Sequence, residues 1–139
     1  MAIKCYKQLT WAVYNNFIGR KGNAFSFFVD TNADCFYMVP TDFEHIDFAS
    51  MLLGVDKADI SQDPSLASHL VPVVVEVTPM HDQITGAVVG VSGIEIAFGV
   101  RHSNVQMATA KQLALKFLEN SEVPLSPTFE LKVVMRYVA

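Results

Sequence analysis

Two cysteines, one tryptophan and a charged fraction of 17% are what this 139-residue chain has least of, and each scarcity excludes a class of function. Cys5 and Cys35 are too few for a disulfide framework and lack CxxC spacing. They are expected as two reduced, core-like thiols rather than a metal ribbon or a redox pair. Ten Lys and Arg residues lie scattered among fourteen Asp and Glu, for a net charge of −4, so no basic footprint for a phosphate backbone exists and nucleic-acid binding is disfavoured. The longest apolar segments are broken by Glu76, Glu95, prolines and glycines, and none offers the ~20 uninterrupted apolar residues of a membrane span. Met-Ala-Ile-Lys-Cys at the start has no apolar stretch behind a basic cluster. No secretory signal is read there, and the expected compartment is the cytoplasm. Nucleophile-elbow, Walker-type and dinucleotide-binding patterns are also missing, which removes the commonest motif-readable enzymes.

What the chain has in plenty is apolar residues. They make up 51% of the sequence, with a mean hydropathy of +0.30, high for a chain of one domain's size. One domain, 1–139, is expected, with part of the excess in a subunit seam. The predicted assembly is a homodimer.

Along the chain, Tyr6, Leu9, Val13 and Phe17 fall at helical spacing before Gly19, although Leu9, Trp11 and Val13 also fit a strand. Runs 24–29 and 35–39 surround Asp30-Thr31-Asn32-Ala33-Asp34 and read as a β-hairpin. Thr41 and Glu44 match a capping box for a helix over 42–53 that stops at Gly54. The acidic stretch 55–64 reads as a surface connection, with a short turn of helix after Asp63-Pro64. The segment from Val71 to Arg101, rich in β-branched side chains, supplies two strands. The first, from Val71 to Thr78, is ended by Pro79. The second, Ile84 to Val100, reads as one long strand with a glycine bulge or as a tight hairpin across Ser92-Gly93, the single strand being the preferred reading. Ser103 to Gln106 repeats the capping-box pattern and opens a helix with Met107, Ala110, Ala114 and Phe117 on its core stripe. Phe129, Leu131, Val133, Met135 and Tyr137 then alternate with Glu130, Lys132, Val134 and Arg136, the period of a half-buried strand.

From Cys35 onward this order is strand, helix, strand, strand, helix, strand. It predicts an α+β fold, a ferredoxin-like split βαβ sandwich (β-α-β-β-α-β) with an extra N-terminal helix and strand. Its sheet would be mainly antiparallel, with helices on one face.

Chemistry is sparse. Glu95 shares a strand face with Ala97, Gly99 and Arg101. It reads either as a general base in a pocket or as one of several sheet-face charges, with Glu76, Glu130, Lys132 and Arg136, that pair across strands. Arg101, His102 and Ser103 stand where a strand passes into a helix, a place that favours an anionic ligand; the competing reading is a plain N-cap and loop. Asp42, Glu44, His45 and Asp47 crowd one helix start, which the helix dipole explains without a metal. His81-Asp82 reads as a solvated loop. No metal and no cofactor are expected. Two functions remain: a self-associating, non-catalytic module binding a small ligand or protein, and a small oligomeric enzyme acting on an anionic metabolite. In the second, Arg101 and Ser103 hold the anion, and Glu95 or His102 moves the proton.

Overall fold

The computed structural model describes residues 4–18, 24–39, 44–99, 105–119 and 121–136. In chain order the elements are β1 (Cys5–Tyr6), α1 (Trp11–Ile18), β2 (Ala24–Asp30), β3 (Cys35–Val39), α2 (His45–Leu53) and α3 (Lys57–Gln62). A short 3-10 turn (Pro64–Ala67), β4 (Leu70–His81), β5 (Val88–Gly99), α4 (Met107–Glu119) and β6 (Leu125–Arg136) follow. The fold is α+β, with one six-stranded sheet in the order β1-β3-β2-β4-β5-β6. Every described strand pair is antiparallel except β5 and β6, which run parallel.

Local chemistry explains the boundaries. The Thr10 hydroxyl accepts from the Val13 amide at 3.2 Å, the cap that starts α1. The segment that fits either a helix or a strand by spacing therefore divides into a two-residue strand and an eight-residue helix. Gly54, in the left-handed region with φ 68°, donates its amide to the Ser50 carbonyl and ends α2 as expected. Glu44, not Thr41, precedes that helix. It is extended and its side chain makes no cap, while Thr41 and Asp42 lie outside the described residues. Pro79 does not end β4. The ladder slips between Thr78 and Pro79 and again between Met80 and His81, and such irregularities let a residue without an amide proton stay in a strand. Opposite the first slip, Thr78 pairs with Gly93 and Pro79 with Val91. Ser92 is thus the bulged residue, where the glycine bulge was expected.

The sheet order does not confirm the split βαβ arrangement. β2, expected as an addition, lies between β3 and β4, and the α4 crossover joins two immediate neighbours with no strand inserted. Nor do the helices share one face. Phe27 and Val29 of β2 join the core that contains Val13, Ala110, Leu113 and Phe117 of α1 and α4, with Val75, Ile94 and Ile96 of the sheet. Phe28, pointing the other way, joins Phe48, Ala49, Ile60 and Ala67 of α2, α3 and the 3-10 turn. The second layer covers the β3-β2 half, and Phe28 stacks on Phe48 with ring centroids 4.6 Å apart.

The expectation of two free thiols is corrected. Pairing of β1 with β3 sets Cys5 opposite Tyr37 and brings the Cα atoms of Cys5 and Cys35 to 5.7 Å, where the two are joined as a disulfide. Among the described residues no helix is long and apolar enough to cross a membrane.

Candidate functional site

Among the described residues α2, α3 and the 3-10 turn pack on the β3-β2 half of the face opposite the α1–α4 layer, and over β4, β5 and β6 that face carries exposed Glu76, Glu130, Lys132 and Arg136 beside buried Ala97. Period-two alternation decides which side chains it carries. Ile94, Ile96, Phe129, Leu131 and Val133 turn toward α1 and α4, so Glu76, Glu95, Glu130, Lys132 and Arg136 turn away from them. The register lines three of these in one row across the sheet, Glu76 opposite Glu95 and Glu95 opposite Lys132.

Two like charges side by side would repel. An Arg136 Nη2 donates to Glu95 Oε1 at 3.0 Å, reaching back past the Ala97–Val134 row from two rows further along β6. The side chains are 26% exposed for Glu95 and 54% for Arg136, so the pair is partly wet and worth about 1 kcal/mol or less. Glu95 thus makes a cross-strand ion pair of the kind that one reading of the sheet-face charges describes. Its partner is Arg136 on the neighbouring strand; Arg101, His102 and Ser103 lie outside the described residues. The helix expected to start at Ser103 begins at Met107, with Val105 and Gln106 outside it.

The remaining candidates are occupied by structural work. His45 Nε2 donates to the Leu70 carbonyl at 2.9 Å, tying α2 to the start of β4. Asp47 pairs with Lys57 across the α2–α3 corner. Hydrogen bonding to Asp47, followed by its charge, raises the Lys57 pKa above its ordinary value. Among the described residues no three His, Cys, Asp or Glu side chains gather as a metal site. His81 Nδ1 donates to the Gly86 carbonyl at 3.2 Å. Asp82 Oδ1 accepts from the Ile84 and Thr85 amides at 2.8 and 2.9 Å, and those bonds hold its carboxyl below the ordinary Asp value. The two neighbours thus close the β4–β5 turn and do not face one another.

A shallow depression of about 420 Å³ lies elsewhere, lined by residues of β1 and the start of α1, among them Lys4, Tyr6 and Lys7, together with Glu122. Sequence reasoning passed over this corner because nothing local marks it. It forms only where Glu122 Oε2 accepts from the Trp11 amide, 111 residues distant in the chain. Compared with protein-family models, with curated proteins and with solved structures, this chain matches none.

Proposed function

We propose that this chain is a self-associating, non-catalytic binding module that presents the charged face of β4, β5 and β6 to a small ligand or a protein partner. The observation that carries this reading is the Glu95–Arg136 pair, 3.0 Å apart on a partly wet sheet face. A carboxylate already neutralised by a guanidinium on a partly wet face suits recognition better than proton abstraction, which asks for an unpaired base in a dry site. Alternating acids and bases along that face offer complementary contacts to a polar partner and little non-specific stickiness. The high apolar fraction of the chain supports self-association.

The experiment is a thermal-shift screen of small anions, cations and metabolites on the wild type and on Glu95→Gln and Arg136→Ala, with sedimentation at micromolar concentration. A ligand that stabilises the wild type and loses its effect in both variants is the expected result. A monomer that no compound stabilises overturns the reading. Turnover abolished by Glu95→Gln would replace it with an enzymatic one.

A further inference from the structure

The two edges of the sheet are treated differently. At one end β1 is two residues long and is tied to β3 by the Cys5–Cys35 disulfide. Short, tethered edges are how sheets avoid unplanned pairing. At the other end β6 runs for twelve residues, and among the described residues no strand lies outside it. From Gly93 opposite Glu130 to Gly99 opposite Arg136 its register with β5 is unbroken, after an irregularity between Leu125 and Glu130 that includes Pro127. Phe129, Leu131, Val133 and Met135 are only partly buried against the core.

We infer that β6 is the seam of a homodimer, pairing antiparallel with β6 of a second copy to make one continuous twelve-stranded sheet; this rests on the self-association proposed above and names its surface. Charge narrows the register, and the engagement of Arg136 by Glu95, which would otherwise offer Glu130 a partner about an axis at Val133, narrows it further. About a two-fold axis at Leu131, Glu130 of each copy stands opposite Lys132 of the other, Phe129 opposite Val133, and Leu131 opposite itself. Moving the axis one residue to Lys132 sets lysine against lysine, and moving it to Glu130 sets glutamate against glutamate, both unfavourable. Glu130 and Lys132 are exposed, and neither has an ion-pair partner among the described residues. Arg136, by contrast, is already engaged by Glu95. The resulting contact is isologous and closes on itself. Lys132 at mid-strand also acts as a gatekeeper, since any partner strand lacking an acid at that place leaves it unpaired.

Sedimentation velocity on the full chain tests this with Glu130→Lys, Lys132→Glu and the double exchange, all at exposed positions, with circular dichroism to show that each folds. The expected result is a wild-type dimer, each single variant weakened by about tenfold or more through two like-charge pairs per seam, and the double exchange restored. A wild-type dimer indifferent to the single exchanges, or a double exchange that fails to recover, overturns the β6 seam while self-association stands. A wild type that is monomeric at every concentration overturns both.

Discussion

The Tyr14 hydroxyl of α1 donates to the Gly90 carbonyl of β5 at 3.0 Å, joining the first helix to a strand 76 residues further along the chain. Tyr14 is fully buried, and burial pushes its phenol above the ordinary value. Tyr14→Phe keeps the ring and leaves a buried carbonyl short of a donor, a loss of about 1 kcal/mol in denaturant unfolding near neutral pH. A phenol raised in the folded state contributes stability that is complete below its unfolded pKa of about 10 and is lost as pH rises through the folded value. Tyr14→Phe should therefore shrink the alkaline fall in stability above about pH 10. Tyr37, raised chiefly by burial and further by Asp30, and Lys57, raised by its bond to Asp47, contribute to the part that remains.

Gly90 is also the tightest glycine described. A Cβ there would overlap the Pro124 backbone carbonyl and sit 2.7 Å from Met80 Cε. That carbonyl accepts from the Val91 amide at 2.9 Å and has little freedom to move. Gly90→Ala is expected to cost about 1–3 kcal/mol, whereas at Gly93 the nearest atom to a new Cβ is 3.6 Å away, so Gly93→Ala should fold with nearly wild-type stability. Paired urea titrations measure the contrast; equal losses would contradict the packing described.

Asp82 tests the β4–β5 turn. Its carboxyl is lowered by the Thr85 and then the Ile84 amide bonds, so its contribution is present above the unfolded value of about 3.9 and disappears as pH falls through the lower folded one. Asp82→Asn keeps an acceptor oxygen and cannot titrate. Thermal melts from pH 6 to pH 2.5 should show a shallower acid decline for the variant, with similar melting near neutrality.

The disulfide closes a loop of sequence separation 30, and chain entropy assigns such a cross-link about 3–4 kcal/mol. Intact mass of the unreduced, denatured protein after alkylation should show no modified thiol, and a reductant should lower the unfolding midpoint. Two alkylated cysteines before reduction would refute the bond.

Much of the architecture could be read from local pattern, because alternation and turn chemistry are local. The core side of Phe129, Leu131 and Val133, the bulge at Ser92 and the stop at Gly54 all followed from spacing and from glycine. Strand partnership did not follow. Nothing in residues 24–30 records that they lie between β3 and β4, and a pattern of period two is the same for an edge strand and a central one. The Cys5–Cys35 bond depends on the register of a two-residue strand, below the length at which periodicity speaks. The charge pairing of Glu95 was readable as one of several sheet-face combinations, but choosing Arg136 required knowing that β6 runs parallel beside β5.

The entry to α1 has a temporal consequence. Leu9 donates its amide to the Phe117 carbonyl and accepts from the Glu122 amide, while the Trp11 amide is held by the Glu122 carboxylate. Leu9 and Trp11 are thus seated by residues made more than a hundred positions later. On the ribosome this segment has no place to dock until α4 and the turn after it have cleared the exit tunnel, so the corner cannot close until Glu122, 111 residues beyond Trp11, has emerged.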